Sequence, residues 1–382
     1  LRQPPRRPIY RLATEGGDEI IATADHPCWT PDGMVELERL RPGDRVARYP
    51  FQGVRYEAPE SRVLVDQDDI RRVLSQLDKG SAGNAMGQIL SQLELRGLLP
   101  LRSDSPQLPT LLRLLGYLFG DGSLHFEGGS GKGVVWFYGD AGDLELIRAD
   151  VAAVGFTPSR VYSRVRQHQL QTTYNQYEFE HEETSFKVVG SAFAVLLAAL
   201  GAPVGAKASQ DYTAPDFLLG APRWQQRLFL AAYFGAELST PQALAAHGAN
   251  FAMPVLSLNK RDGFVASGQR FLEQIAGMLS GLGVEIKRIS QREEQVNVDG
   301  VRSQRLRLVL SSQSDSLINL WSRVGFEYNR FRQQQGLLAV EYLKCKGTVV
   351  ARREMASAQA VAMQAVGVAP QHASMLGKRC SG

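Results

Sequence analysis

The chain has 382 residues, of which 44% are hydrophobic and 21% are charged, and its formal net charge is +4 at pH 7. This length and apolar content suffice for more than one hydrophobic core, and the mild basicity permits binding to nucleic acid. The three cysteines, Cys28, Cys345 and Cys380, lie far apart and argue against a disulfide framework or a zinc site. No apolar stretch reaches the length of a membrane span, so the sequence predicts a soluble, cytoplasmic protein that contacts no membrane.

The first part of the chain, residues 1–65, is predicted to be all β. Segments 9–14, 19–23 and 45–49 are rich in β-forming residues and are separated by turns that contain Gly. Residues 66–104 change character, because two amphipathic helices, at 68–77 and 84–95, precede the start of a strand. The order helix, turn, helix, strand is the outline of a winged helix.

Residues 105–347 show one αβ pattern twice, in the halves 105–222 and 223–347. In each half a helix that ends in an acid is followed by one or two strands, a second helix, a strand pair and a closing helix. The closing helix of the second half is predicted at 315–324. A tandem duplication of this kind predicts a pseudo-twofold fold. The tail, residues 348–382, is predicted to contain a helix at 352–365, which belongs either to a helix–turn–helix or to an extended helix that packs on the core.

Two apolar segments that begin the halves are near-copies of each other: residues 114–122 (LLGYLFGDG) and residues 230–238 (LAAYFGAEL). Small residues recur four positions apart in each segment, which allows two helices to approach closely. Each segment carries an acid at the same late position, Asp121 or Glu237. We therefore expect the two carboxylates to lie side by side and to bind divalent metal and phosphate.

The paired segments resemble the LAGLIDADG motif of homing endonucleases. The resemblance implies an α+β fold with a tandem pseudo-twofold αββαββα core, in which the two acids bind Mg²⁺ between two DNA strands. It also implies a catalytic lysine from each half: Lys207 matches the first, and Lys346, with Lys344 as its neighbouring alternative, is predicted for the second. Leu238 replaces the Gly that follows the acid of the motif, so we expect a branched residue in a left-handed position.

Basic and amide side chains on the strand pairs of both halves indicate a surface that binds double-stranded DNA, since such residues on a β-ribbon suit the major groove. An ordinary exposed sheet face is the alternative. The predicted DNA contacts of the first ribbon are Arg160, Arg164, Arg166, His168, Gln169 and Gln171. Those of the second ribbon are Lys287, Arg288, Arg292, Arg302, Arg305 and Arg307. Arg223 and Arg227 are predicted to contact phosphates.

The N-terminal strands have a resemblance of their own. Thr23 and His26, in the segment TADHP, precede an ordered run that ends in RPGDRV at residues 41–46, and this block is similar to a Hint domain of inteins. The resemblance implies that His26 helps to activate a scissile amide and that Thr23 supports it. Leu1 is not a nucleophile and the tail has no His-Asn ending, so we expect an incomplete intein that does not splice as given. Residues 203–240 are similar to inteins inserted in an RNA-ligase family, so a host protein is expected.

These features together predict a site-specific, metal-dependent double-strand DNA endonuclease of the homing type, embedded in a partial intein. It would act as a monomer with internal pseudo-twofold symmetry on a long recognition site, and the winged-helix-like insert would extend its DNA contact. Two alternatives stay open: a catalytically degenerate LAGLIDADG and helix–turn–helix protein that binds DNA, and an autoprocessing Hint element with a decayed insert.

Overall fold

The computed structural model describes residues 8–15, 18–77, 83–128, 132–171, 176–245, 250–297 and 299–373, together with Met375. The side chains of residues 83, 84, 166, 168–171, 176–179 and 181 lie outside this description. The fold is α+β, as predicted. It divides into a smaller unit, Leu1–Phe51 with Val340–Gly382, and a larger unit, Gln52–Ala339. The sequence had placed boundaries after residues 65, 104 and 347.

The smaller unit contains two antiparallel hairpins and most of a long helix. The hairpins are β1 (Ile9–Ala13) with β2 (Glu19–Thr23), and β3 (Pro27–Thr30) with β4 (Gly33–Glu36). The strand predicted at 45–49 is not formed. The described backbone there is tied to β3 by one bond, from Ala47 N to Trp29 O at 2.7 Å, which is too little for a ladder.

Two helices open the larger unit, close to the predicted ranges. They are α1 (Gln67–Gln76) and α2 (Gly83–Leu95), and they lie between two short paired strands, β5 (Val63–Val65) and β6 (Leu101–Arg102). Asp66 begins α1 with a capping box, because its side chain accepts from the backbone of Asp69 while the Asp69 side chain accepts from Asp66 N. Both helices pack against α5 (Ser191–Ala199).

The rest of the larger unit repeats one pattern, as the sequence predicts. The first repeat consists of α3 (Leu108–Phe119), β7 (Gly122–Phe126), β8 (Gly133–Tyr138), α4 (Ala141–Ala153), β9 (Tyr162–Gln171), β10 (Gln176–Val189) and α5. The second consists of α6 (Asp216–Leu219), α7 (Arg223–Glu237), β11 (Val255–Arg261), α8 (Val265–Gly281), β12 (Ile286–Val296), β13 (Arg302–Leu310) and α9 (Ser314–Asn319). The strand orders are β7-β8-β10-β9 and β11-β13-β12, with antiparallel neighbours throughout.

The two repeats differ where a strand follows the motif helix. In the first repeat that strand is β7, whereas in the described part of the second it is reduced to two isolated bridges, Leu238 with Leu256 and Ala243 with Phe251. The predicted helix 315–324 also changes character, because α9 stops at Asn319 and a π-helical turn, Leu320–Val324, completes it.

The tail helix is longer than predicted. The sequence placed its start at residue 352, whereas α10 runs over Arg330–Ala365. Its first turn is capped by Asn329, whose Oδ1 accepts from Arg332 N at 3.0 Å. After a turn, residues 370–373 are helical again. Among the helices within the described ranges, none is both long enough and apolar enough to cross a membrane.

Candidate functional site

The helices α3 and α7 carry the two near-copied segments and pack against each other through small residues. A Cβ added to Gly116 would lie 2.2 Å from the carbonyl oxygen of Phe229. One added to Gly120 would lie 2.4 Å from Ala236 Cβ and 3.0 Å from Glu237 Cγ. The backbones can therefore approach this closely only because no side chain stands between them, as the spacing of small residues predicts.

This packing brings Asp121 and Glu237 to the same point. Glu237 is the last residue of α7, and its side chain lies against Gly120, directly before Asp121. Burial and the charge of Asp121 raise the pKa of Glu237 to about 7. Desolvation also raises the pKa of Asp121, although part of this residue is exposed. Two adjacent carboxylates repel each other when both are ionised, and a cation bound between them would relieve that repulsion.

Leu238, the residue after the second acid, corrects an expectation. Its φ is −74° and its ψ is 139°, so it is extended rather than left-handed, and its side chain is fully buried. The branched side chain consequently causes no backbone strain at the end of α7.

Lys207 lies beside the first acid and caps the helix that carries it. Its Nζ donates to the carbonyl oxygens of Leu118 (3.2 Å), Phe119 (3.0 Å) and Gly120. A cation at this end offsets the partial negative charge of the helix C-terminus. Burial lowers the pKa of Lys207, and the charges of Glu237 and Asp121 oppose that shift. The Lys207 predicted from the sequence is thus brought to the acids.

The second acid has a matching cation, and it is Arg332. Its Nη1 donates to the carbonyl oxygens of Phe234 (3.2 Å), Gly235 (2.7 Å) and Ala236 (3.0 Å), the last turn of α7. The sequence had placed Lys346 here, but Lys346 belongs to the part of α10 in the smaller unit. We call the set Asp121, Glu237, Lys207 and Arg332 the two-acid cleft.

The sequence gives no simple signal for Arg332. Lys207 follows Asp121 by 86 residues, whereas Arg332 follows Glu237 by 95, and a basic residue at equal distance in the second half would have been Arg323. A search for lysine would also have missed Arg332, because the second half uses a guanidinium group for the same bonds.

Aromatic rings close the cleft from below. Phe119 packs edge-on against Phe229 and Tyr212, and stacks on Phe271 at a centroid distance of 5.6 Å. Next to Glu237 a cavity of about 370 Å³ extends to the second sheet. The lining residues with polar side chains are Lys207, Tyr212, Tyr233, Glu237, Ser257, Asn259 and Arg305. An apolar floor below a polar rim is the usual form of a ligand site.

The donor set limits which metal could fit. In the described ranges no cluster of three or more His, Cys, Asp or Glu side chains is present that could hold an ion. Mg²⁺ suits this site nevertheless, because it commonly keeps several waters and is bound through one or two carboxylates. Asp121 and Glu237 would hold it, and when bound it would neutralise and polarise a phosphate group.

The first sheet presents part of the predicted nucleic-acid surface. Arg164 lies above Trp136 at 5.9 Å from the ring centroid and pairs with Glu183 at 2.6 Å. Arg160 is exposed just before β9. The predicted contacts Arg166, His168, Gln169 and Gln171 lie on β9, but their side chains are outside the described residues. Sequence reasoning did not include Trp136 or Lys187, whose ammonium group is 5.2 Å from the same ring.

The second sheet brings together most of the basic residues predicted for it. Arg292 and Arg305 are direct cross-strand neighbours on β12 and β13, and Arg307 follows on the same face. Glu294 pairs with Arg305 and partly neutralises this face, whereas Arg302 lies on the opposite face of the sheet, where it pairs with Glu293 at 3.2 Å. The two remaining residues of this set, Lys287 and Arg288, are exposed on β12.

The two arginines predicted to contact phosphates behave differently. Arg227 is engaged internally: its Nε donates to Val324 O at 2.9 Å and its Nη1 pairs with Glu327 at 2.8 Å, so its side chain is only 14% exposed. The prediction of a phosphate contact for Arg227 is therefore wrong. Arg223 is exposed in the first turn of α7, about 21 Å along the helix from Glu237.

Thr23 and His26 lie at the two ends of one turn in the smaller unit. His26 N donates to Thr23 O at 3.0 Å, and His26 O accepts from Leu37 N at 2.9 Å. The imidazole is half-buried. The geometry keeps the two residues together, and the role that the Hint resemblance implies for them stays a prediction.

Comparison with known proteins finds relatives that match almost all of this chain. The tRNA-splicing ligase RtcB of Methanocaldococcus jannaschii is 35% identical over 341 residues, 88% of this chain and 33% of that protein. The same ligase of Methanopyrus kandleri is 31% identical over 91% of this chain and 32% of its own length. The DNA-directed RNA polymerase subunit Rpo1N of M. jannaschii is 30% identical over 88% of this chain and 24% of that subunit. The chain therefore spans about a third or less of these relatives.

No known protein-family profile matches the chain. Among solved structures, the homing endonuclease I-WcaI bound to its DNA recognition sequence is a neighbour that covers 60% of this chain and 86% of that one. Its TM-score is 0.36 and its sequence identity 13%. A likeness this distant decides neither fold nor function.

These comparisons contradict the predicted enzyme class. Relatives 31–35% identical over about nine-tenths of the chain are named tRNA-splicing ligase, an RNA ligase. The prediction of a site-specific DNA endonuclease is therefore wrong. The descriptions as a homing endonuclease and as an intein likewise find no support in the names of these relatives.

Proposed function

We propose that this chain is an inserted module carried by a tRNA-splicing ligase, and that its two-acid cleft binds a divalent cation while its two sheets bind a nucleic-acid duplex. The observation that carries the cation site is the meeting of Asp121 and Glu237 at the ends of two helices whose backbones touch. The observation that supports the inserted module is the pattern of relatives.

A module is supported because proteins with unlike names share the same stretch. The ligase and the polymerase subunit of M. jannaschii each match 88% of this chain, so the two matches include mostly the same residues. Each match takes in a third or less of the relative. A stretch common to a ligase and a polymerase subunit has a function separable from either activity.

A Hint-like origin of the N-terminal strands belongs to the same proposal. A segment inserted in a host protein must either be removed from it or leave its fold undisturbed. The turn that holds Thr23 and His26 together is compatible with the role in amide activation that the resemblance implies.

The cleft suits a cation and a phosphate together. Mg²⁺ would be held by Asp121 and Glu237 with waters completing its shell. Lys207 Nζ and Arg332 Nη1 donate to helix-terminal carbonyls, so the two residues stabilise the helix ends and supply positive charge beside the acids. Phosphate groups would be attracted by that charge and by a bound cation.

The sheet faces support a nucleic-acid partner. Arg305 lies both on the second sheet and in the lining of the cavity beside Glu237, so a strand that contacts the sheet can also reach the cleft. The sequence predicts double-stranded DNA as the partner and a monomer as the binding species. The name of the relatives directs attention to RNA as well, so an RNA duplex is the necessary comparison.

The test combines calorimetry with a nucleic-acid binding assay. We expect Mg²⁺ or Mn²⁺ to bind the wild type, and to bind Asp121→Asn and Glu237→Gln at least about tenfold more weakly. Asp68→Asn, which removes an exposed carboxylate of α1, should bind the cation as the wild type does. Anisotropy with labelled DNA and RNA duplexes then identifies the partner. Unchanged cation binding in both cleft variants would overturn the proposal for the site.

A further inference from the structure

We infer that Lys260 is a positioning residue: from the second repeat, it fixes the turn that carries Lys207 and so holds the Lys207 ammonium group against the end of α3, beside Asp121. The geometric part of this inference stands by itself. Its consequence for ligand binding rests on the function proposed above.

Lys260 is buried in a way that is unusual for a lysine. It lies on β11 and is fully buried. Its stem packs against α8, because a Cβ added to Gly268 would lie 2.7 Å from Lys260 Cγ. A buried ammonium group is costly unless its donors are used, so its partners indicate what it does.

The described partners of the Lys260 ammonium group all belong to one short segment. Its Nζ donates to Lys207 O at 2.9 Å and to Gln210 O at 2.7 Å, and it lies 3.7 Å from the ring centroid of Tyr212. These contacts span the single turn Lys207–Ser209 and the residues that follow it. The ammonium group therefore clamps both ends of that turn.

The clamp acts across the boundary between the repeats. On one side, Lys260 and Ser267 of the second repeat hold the segment, since Ser267 Oγ accepts from Tyr212 N at 2.9 Å. On the other side, Lys207 reaches the last carbonyls of α3 in the first repeat. Without the hydrogen bonds from Lys260, the backbone of Lys207 would no longer be fixed, and its side chain would no longer be held at the two-acid cleft.

Lys260→Met keeps the apolar stem but removes the donor to two carbonyl oxygens, so we expect it to lower the melting temperature while the chain stays folded. The positioning role requires, in addition, that this substitution releases Lys207. Lys132→Met, which removes an exposed lysine just before β8, serves as the control.

The first readout needs no ligand. Ammonium protons held by hydrogen bonds exchange slowly with water and give NMR signals, and Lys207→Met assigns the signal of Lys207. We expect that signal in the wild type and in Lys132→Met, and its loss in Lys260→Met. An unchanged Lys207 signal in Lys260→Met would overturn the inference whether or not the chain binds nucleic acid.

The second readout is a double-mutant cycle on the affinity for duplex DNA in Mg²⁺. We expect Lys207→Met and Lys260→Met each to weaken binding by about three- to tenfold, and the double variant to be no weaker than Lys207→Met. Additive losses would show that Lys260 acts independently of Lys207 and would contradict the positioning role. If the wild type binds no duplex, the proposed function fails, while the NMR result still decides the inference.

Discussion

The two motif helices end differently, although their acids meet. After α3 comes Gly122 and a full strand, whereas after α7 comes Leu238 and an isolated bridge to Leu256. The backbone of Gly122 is not left-handed. A glycine is required there because a Cβ would lie 2.7 Å from Leu118 Cδ1. In the first repeat this position therefore requires a small residue for packing. In the second repeat the same position is a core residue.

The largest effect is expected from shortening the side chain of Leu238, which tests whether this position belongs to the core. Its side chain is fully buried, so Leu238→Ala should lower the free energy of unfolding by about 2–5 kcal/mol through the cavity it leaves. Chemical denaturation measures this loss. Leu338→Ala, at a position 65% exposed, is the control and should change stability by less than about 0.5 kcal/mol. Equal effects in the two variants would refute the core role of Leu238.

The contact between the helices should be sensitive to a single methyl group. In Gly116→Ala the new Cβ would face a backbone oxygen of α7 that cannot move alone, so we expect a loss of about 1–3 kcal/mol. Gly277→Ala in α8 meets open space and should instead gain roughly 0.5–1 kcal/mol from helix propensity. Thermal and denaturant unfolding compare the two variants. A stabilised Gly116→Ala variant would show that the helices do not touch there.

The acids should make the cation-free protein less stable as pH rises. The pKa of Glu237 is raised from 4.5 to about 7, so between these values the folded chain binds more protons than the unfolded chain. The free energy of unfolding therefore falls with rising pH in this window, by up to about 1.4 kcal/mol per pH unit for each proton. Denaturation across the window measures the slope.

Two variants sharpen that pH measurement. Glu237→Gln should flatten the slope, whereas Glu38→Gln, at an exposed position of the smaller unit, should leave it as in the wild type. A slope that is the same in Glu237→Gln and in the wild type would show that Glu237 ionises normally.

The sequence predicts the repeats well because their signals are local. Apolar periodicity and turn residues predict α3, α7 and the strands of both sheets, although β9 and β12 run further than predicted. Small residues four apart predict the helix contact. The signal fails where a partner distant in sequence decides. Arg227 is a residue type that commonly contacts phosphates, yet its guanidinium group is bound by Glu327 and by the carbonyl oxygen of Val324. Residues 45–49 have β-forming side chains but find no second strand.

The cleft itself was predictable in part. Its acids and Lys207 stand in motifs, so their meeting follows from the duplication. The sequence did not predict Arg332 as a site residue, because it lies at the start of α10, a helix whose start was predicted more than twenty residues later. Lys260 escaped because a lysine in a strand is ordinarily assigned to the solvent face, and only the tertiary structure shows that its partners are two carbonyl oxygens.

The capping of α3 and α7 has a further consequence. Two helix C-termini and two carboxylates converge in one place, which is an unfavourable accumulation of negative charge. Lys207 and Arg332 are covalently attached counterions that compensate it. The chain can therefore fold without recruiting an ion from solution, and chelators should leave its fold intact. A divalent ion that enters must compete with this built-in compensation, so its residence can depend on the phosphate that arrives with it.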